Sequence, residues 1–150
     1  MIKKENHISR SVKETHEWAE KVLERINTEK EHYTKKGKQA VILLLNGVLG
    51  SGKTEFTKGL AKHLGIKNTV LSPTFLIMRK YDNFYHLDCY RLLPKPDLAL
   101  KELAIEEILN DSNNIVVFEW GENMKLLKNY MKVKIDFLIG KDLRRINIQW

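Results

Sequence analysis

The amino-acid sequence predicts an α/β fold, in which helices flank a sheet of mostly parallel central strands with additional antiparallel hairpins. Two apolar runs, 40–46 and 115–120, are continuous rather than alternating, which is typical of strands buried on both faces of a parallel sheet. A glycine-rich turn and a helical pattern follow the first run, which is the order of a strand–helix unit. Near the C-terminus, apolar and polar residues alternate in two runs, which indicates an antiparallel hairpin.

Length and composition restrict the class of protein further. A chain of 150 residues is long enough for one hydrophobic core, and we expect a single domain over residues 1–150. The longest purely apolar run, 40–45, is far shorter than the roughly 20 residues of a membrane helix, and segment 1–14 lacks the apolar stretch of a secretory signal. The single cysteine, Cys89, cannot form an internal disulfide. We therefore expect a cytoplasmic protein without membrane contact.

The charge is concentrated at the two ends of the chain. The formal net charge is +7, and the excess of basic residues lies in 1–39 and 121–150, whereas 40–120 is balanced. A basic surface can attract RNA or an acidic protein, but it is more often a solvated face. Because no aromatic RNA-binding pattern accompanies it, direct nucleic-acid binding is the lesser interpretation.

The helices are predicted from spacing and end signals. Ser11 and Glu14 have the spacing of a capping box, and the apolar residues that follow recur at helical intervals over about four turns. The polar stretch 27–39 is expected to be a loop or a frayed helix end. A second helix, from Lys53 to Leu64, should end at Gly65.

The remaining elements alternate between strands and short helices. Runs 75–81 and 84–90 flank Asp82-Asn83, which suits a hairpin turn. Asp97 is expected to cap a helix that ends at Leu103, and a second short helix should cover 105–109. The C-terminal hairpin pairs 133–137 with 146–150 through a turn at 140–142.

The strongest motif follows the first buried strand and satisfies G-x-x-x-x-G-K-[ST]. Glycines let the backbone turn its N–H groups inward, where they and the helix N-terminus can hold a β-phosphate. Lys53 would lie between the β- and γ-phosphates, and the Thr54 hydroxyl would bind Mg²⁺. The position between strand and helix favours a P-loop NTPase-like sheet over an incidental glycine turn. The predicted nucleotide-binding residues here are Gly47, Leu49, Gly50, Ser51, Gly52, Lys53, Thr54 and Glu55.

A magnesium-dependent NTPase needs a carboxylate beyond the phosphate loop. Asp88 and Glu119 each end an apolar strand, where a parallel sheet presents its ligands. The plainer interpretation of each is a solvated strand end, but the phosphate loop favours a metal role. The predicted metal ligands are Thr54, Asp88 and Glu119. No N-K-x-D string indicates guanine specificity.

Four ordered motifs together resemble the TsaE (YjeE-type) family of small bacterial P-loop ATPases. They are the phosphate loop with its helix (43–66), VLSPTFLIMRKY (70–81), YHLDCYRL (85–92) and VVFEWGE (116–122). The resemblance implies a role in forming threonylcarbamoyladenosine next to the anticodon of tRNAs that read codons beginning with A. It also implies ATP and Mg²⁺ as cofactors, a TsaB–TsaD heterodimer as partner, and tRNA contact only through that complex.

The resemblance also implies roles for single residues. Thr74 would be a switch hydroxyl near the γ-phosphate, Asp88 would support the metal, and Glu119 would orient the attacking water or share the metal. Trp120 would lie near the nucleotide, although a packing role competes evenly. For His86 we favour a hydrogen-bonded structural histidine over a catalytic one.

Three residues depart from the family pattern, and three other functions compete. Val48 replaces an Asp, Glu55 replaces a second Thr, and Gly121 replaces a Pro, which together question nucleotide affinity. The competing functions are a small-molecule kinase, a non-catalytic module in which ATP only orders a surface, and a direct RNA binder. The central region offers only Arg79 and Arg91 for a kinase lid, so the ATPase is preferred.

Overall fold

The computed structural model of the chain describes residues 2–73, 77–92, 96–122 and 124–150, and it confirms the predicted α/β class. One sheet of seven strands is covered by helices on both faces. The strands are β1 (Lys4–Ser9), β2 (Val41–Asn46), β3 (Met78–Tyr81), β4 (Phe84–Asp88), β5 (Ile115–Glu119), β6 (Val133–Gly140) and β7 (Leu143–Gln149). The α-helices are α1 (Val12–Thr28), α2 (Lys30–Tyr33), α3 (Lys53–His63), α4 (Pro96–Glu102) and α5 (Ile105–Leu109), and two 3-10 helices cover Tyr90–Leu92 and Lys125–Asn129.

The sheet has a parallel centre and antiparallel edges. The strand order is β1-β7-β6-β2-β5-β4-β3, in which β6, β2, β5 and β4 run parallel. The hairpin of β3 and β4 forms one edge, and β7 with β1 forms the other. Because parallel strands end at the same side, the phosphate loop after β2 lies beside the ends of β4 and β5.

Two apolar cores lie on opposite faces of this sheet. Leu43 and Leu45 face the core under α1 and α3, while Ile42 and Leu44 face the core under α4 and α5. This explains why the β2 sequence is apolar without alternation, as predicted for a strand buried on both sides. None of the helices in the described part of the chain is long and apolar enough to cross a membrane.

The helix starting after Ser11 forms as the capping pattern predicts. The Ser11 hydroxyl accepts a hydrogen bond from the Glu14 N–H at 3.1 Å, and the Glu14 carboxylate accepts one from the Arg10 N–H at 2.7 Å. The hairpin turn at Asp82-Asn83 also forms, with Tyr81 paired to Phe84. Both features could be predicted because the residues that form a helix cap or a tight turn are close together in sequence.

The structure differs from the predicted elements at several places. Segment 4–9 is an edge strand paired with β7, although its polar sequence carries no strand pattern. Strand β4 ends at Asp88 rather than at residue 90, because a 3-10 helix starts at Tyr90. Part of the stretch expected to be a loop or a frayed helix end forms the separate four-residue helix α2. Asp97 lies inside α4, and its carboxylate accepts from the Leu126 N–H at 2.7 Å instead of capping the helix. The predicted strand residues 75 and 76 lie outside the described residues.

Candidate nucleotide and metal site

The loop between β2 and α3 has a backbone that only glycines suit. Gly47, Gly50 and Gly52 have φ angles of 152°, 78° and 110°. A Cβ on Gly47 would lie 2.5 Å from Ser51 Oγ and 2.8 Å from the backbone oxygen of Phe137, so a side chain there would overlap its neighbours. The loop is thus wrapped tightly against β6 and leads into the N-terminus of α3, the kind of helix end that can hold an anion.

Lys53 is the first residue of α3, and its side chain contacts the backbone of this loop. Its side chain is almost fully buried, and Nζ donates hydrogen bonds to the carbonyl oxygens of Gly47 (2.6 Å) and Val48 (3.1 Å). Burial lowers the pKa of Lys53, while the charges of Glu119 and Asp88 act in the opposite direction. The ammonium group is therefore held at the loop, where phosphate oxygens could replace the two carbonyl oxygens as acceptors.

The two predicted carboxylates occupy neighbouring strand ends. Asp88 on β4 and Glu119 on β5 are paired in register, and both line the cleft at the phosphate loop. Asp88 is half-buried, and its Oδ1 accepts a hydrogen bond from the Tyr90 N–H at 3.0 Å. Glu119 is 3% exposed, and its Oε1 lies 2.8 Å from His86 Nε2. The fully buried His86 is therefore hydrogen-bonded, as predicted, and its partner is the candidate catalytic carboxylate.

Trp120 turns the chain at the end of β5. It adopts a left-handed backbone (φ 60°), and its ring centroid lies 5.1 Å from Lys53 Nζ and 5.1 Å from the ring of Tyr90. The side chain lines the cleft and also packs against the core under α4. Trp120 therefore packs against the core, as one interpretation predicts, and it also lines the cleft in which the other interpretation places the nucleotide.

These residues surround one cleft of about 540 Å³. The oxygen groups that line it, the Thr54 hydroxyl and the carboxylates of Asp88 and Glu119, are the hard donors that Mg²⁺ prefers, so the donor set fits this ion. The structure also adds cleft residues for which we predicted no site role. The described residues that line the cleft are Val48, Leu49, Gly50, Ser51, Gly52, Lys53, Thr54, Glu55, Ser72, Asp88, Tyr90, Arg91, Glu119 and Trp120.

Glu55, predicted to contact nucleotide, directs its carboxylate to other partners. The carboxylate accepts a hydrogen bond from Lys58 Nζ at 2.9 Å, and it is hydrogen-bonded to His16 Nε2 on α1 at 3.1 Å. The hydrogen bond from Lys58, followed by that from His16, lowers the pKa of Glu55 although burial raises it. These bonds hold the carboxylate of Glu55 between Lys58 of its own helix and His16 of α1.

The other predicted features fall at the edge of the cleft or outside the described residues. Thr74 of the predicted switch segment lies outside them, while Ser72 of the same segment lines the cleft. Val48 is 60% exposed and contributes its carbonyl oxygen to Lys53. Gly121 is buried, and a Cβ there would lie 3.0 Å from Met124 Cε.

Tyr90 and Arg91 also line the cleft, although neither is among the predicted site residues. Both lie in the 3-10 helix Tyr90–Leu92, which starts two residues after Asp88, where the predicted strand was expected to end. The sequence signal was their presence in the YHLDCYRL motif, but the predicted strand 84–90 assigned Tyr90 to strand pairing rather than to the cleft.

Comparison with known proteins identifies one family. The family model described as threonylcarbamoyl adenosine biosynthesis protein TsaE matches residues 9–146. The tRNA threonylcarbamoyladenosine biosynthesis protein TsaE of Rickettsia typhi is 38% identical over 70% of this chain and 74% of its own length. That of Streptomyces coelicolor is 36% identical over 66% of this chain and 70% of its own length. The crystal structure of YdiB from Bacillus subtilis superposes with a TM-score of 0.65 at 26% identity, covering 99% of this chain and 86% of that one.

Proposed function

The chain belongs to the TsaE family of tRNA threonylcarbamoyladenosine biosynthesis, and on this basis we propose that it is a Mg²⁺-dependent ATPase. We propose further that it acts as a single cytoplasmic domain, binds a TsaB–TsaD heterodimer and contacts tRNA only through that complex. The observation that carries the ATPase proposal is one cleft in which Lys53 and Thr54 of the phosphate loop face Asp88 and Glu119.

Binding of ATP would use the loop and the start of α3. Backbone N–H groups of the loop and of the first turn of α3 would hold the β-phosphate, and Lys53 would exchange its carbonyl partners for β- and γ-phosphate oxygens. Bound Mg²⁺ would neutralise charge on the phosphates. Thr54 and Asp88 are the residues that would hold it, with Glu119 sharing the ion or acting on water.

Hydrolysis would then depend on one carboxylate. The water oxygen forms a bond to the γ-phosphorus, the bond from that phosphorus to the β-phosphate oxygen breaks, and Glu119 takes the proton that the water loses. Burial of Glu119 keeps bulk water from competing for this carboxylate. Trp120, whose ring centroid lies 5.1 Å from Lys53 Nζ, would border the bound nucleotide beside this lysine.

The partner proteins would control the rate. Thr74 enters this proposal through the family resemblance, as a hydroxyl that engages the γ-phosphate only when segment 72–75 is ordered. Arg91 lines the cleft of the isolated chain, but a further charge donor from a partner can raise the rate of a slow NTPase by about 10³–10⁵. We therefore expect slow hydrolysis by the chain alone and faster hydrolysis with the heterodimer.

The experiment measures phosphate release from ATP by the chain alone and with the cognate TsaB–TsaD heterodimer. Lys53→Ala should weaken ATP binding by roughly ten- to hundredfold, because a charge-assisted contact is lost, and it controls for contaminating ATPases. Asp88→Asn should weaken the Mg²⁺ dependence. Glu119→Gln should still bind ATP but hydrolyse it about 10²–10⁴ times more slowly.

Three outcomes would contradict the proposal. Absence of hydrolysis under both conditions would favour a non-catalytic module, and phosphorylation of an added metabolite would favour a kinase. Full stimulation of a Thr74→Ala protein by the heterodimer would refute the switch.

A further inference from the structure

A buried pair of side chains lies behind the candidate catalytic carboxylate. His86 Nε2 and Glu119 Oε1 are 2.8 Å apart, and the two residues are 0% and 3% exposed. His86 lies on β4 two residues before Asp88, and it does not line the cleft. It is therefore too deep to contact a nucleotide, but it contacts the group that would act on one.

The hydrogen-bond partners of the two ring nitrogens indicate which nitrogen of His86 carries the proton. His86 Nδ1 is buried and has no hydrogen-bond partner among the residues that the structure describes. A buried N–H without an acceptor is costlier and rarer than a buried acceptor without a donor. The ring proton therefore belongs on Nε2, from which it is donated to Glu119 Oε1. Glu119 then accepts at Oε1 and retains Oε2 for a second partner.

We infer that His86 is a positioning residue, which holds the Glu119 carboxylate in the orientation that receives the proton of the attacking water. The inference rests on the proposed ATP hydrolysis. A glutamate has three side-chain torsions, and a buried hydrogen bond to one oxygen restricts them before ATP arrives. Such preorganisation matters because a misplacement of about 1 Å can cost roughly 10²-fold in rate.

The test separates the hydrogen bond from the volume of the side chain. His86→Met keeps a side chain of similar size but removes the donor, whereas His86→Gln keeps an N–H near the position of Nε2. We expect His86→Met to lower kcat about 10- to 100-fold with little change in the Kd of ATP. His86→Gln should restore most of the lost rate.

Two further variants exclude a general loss of structure. Gln39 is buried beyond the opposite end of β2, where its Nε2 donates to the Met131 carbonyl oxygen at 2.9 Å. Gln39→Met removes this hydrogen bond and the one that the side chain accepts from the Met131 N–H at 3.2 Å, and it should leave kcat unchanged. Adding His86→Met to Glu119→Gln should lower the rate less than twofold further, because residues that act as one unit are not additive.

The possible results lead to different conclusions. No hydrolysis by the wild-type protein, alone or with the heterodimer, would overturn the proposed function and this inference with it. Hydrolysis by the wild type with unchanged kcat in His86→Met would overturn this inference alone, as would equal losses in His86→Met and His86→Gln. If His86→Met does not fold, the tautomer still decides: nitrogen-15 NMR of the wild-type ring should find the proton on Nε2, and a proton on Nδ1 alone would refute the inference.

Discussion

Gly47→Ala is the substitution that most directly tests how the phosphate loop is built. The φ angle of Gly47 is 152°, and the added Cβ would lie 2.5 Å from Ser51 Oγ and 2.8 Å from the backbone oxygen of Phe137. Ser51 is itself fully buried, and the Phe137 oxygen belongs to β6, so neither can move easily. The loop itself must shift, together with the N–H groups that we propose hold phosphate.

Two costs make up the expected loss. An alanine in a backbone region reserved for glycine costs about 1–3 kcal/mol, and overlap in a packed site costs about 1–3 kcal/mol more. We therefore expect the free energy of unfolding to fall by about 2–6 kcal/mol. Gly50→Ala is the matched control, because its φ angle is 78° but no atom lies within 4 Å of the added Cβ. It should cost only about 1 kcal/mol.

The assay is urea unfolding followed by tryptophan fluorescence, together with calorimetric titration of ATP into folded Gly47→Ala protein. ATP binding should weaken at least about tenfold, since losing one charge-assisted hydrogen bond costs about 1.5–3 kcal/mol. Equal stability losses in the two variants would refute the steric argument. Normal ATP affinity in Gly47→Ala would refute the role of this loop.

The remaining predictions concern stability away from the cleft. Gly59→Ala places a Cβ 2.8 Å from His16 Cα on α1, so it should destabilise the protein by about 1–3 kcal/mol in thermal or urea unfolding, although alanine is the better helix former. Lys62→Ala on the exposed side of α3 should change stability by less than about 0.5 kcal/mol, and a neutral Gly59→Ala would contradict the close helix contact. The Lys3 hydrogen bond is the main influence that lowers the pKa of Glu5, from 4.5 to about 2, so its stabilisation is present above about pH 4.5 and is lost as the pH falls towards 2. Glu5→Gln should therefore cost about 1 kcal/mol at pH 7 and nothing once the pH is below the folded-state pKa; a loss independent of pH would contradict this ion pair.

The sequence was most informative where the determining interactions are local or repeated. A strand buried on both faces needs apolar residues throughout, so β2 and β5 could be predicted from their runs alone. The phosphate loop could be predicted because its backbone has positive φ angles, which favour glycine, at fixed positions in the sequence. The carboxylates Asp88 and Glu119 followed from their positions at strand ends, because the topology of a parallel sheet brings such ends together.

Prediction failed where the partner is distant in sequence. Strand β1 forms because it pairs with β7 at the edge of the sheet. The polar segment 4–9 carries no apolar pattern from which a strand could be predicted. Asp97 resembles a helix cap, but the N–H of Leu126, 29 residues away, captures its carboxylate. Glu55 likewise bonds His16 across the interface of two helices. Each case depends on tertiary packing, which outweighs a local preference of about 1 kcal/mol.

The burial of charge in the cleft links its parts to one another. One lysine and two acidic residues meet at the ends of three parallel strands, and an isolated buried charge would cost several kcal/mol. Lys53 offsets part of this cost through Gly47 and Val48, while His86 supplies a hydrogen bond to Glu119 from behind. His86 holds Glu119 without occupying the cleft, whereas the carbonyl oxygens hold Lys53 at the place where phosphate oxygens would replace them. The phosphate loop and the buried histidine therefore serve the same physical purpose, which is to fix charged groups in place before a phosphate and a cation arrive.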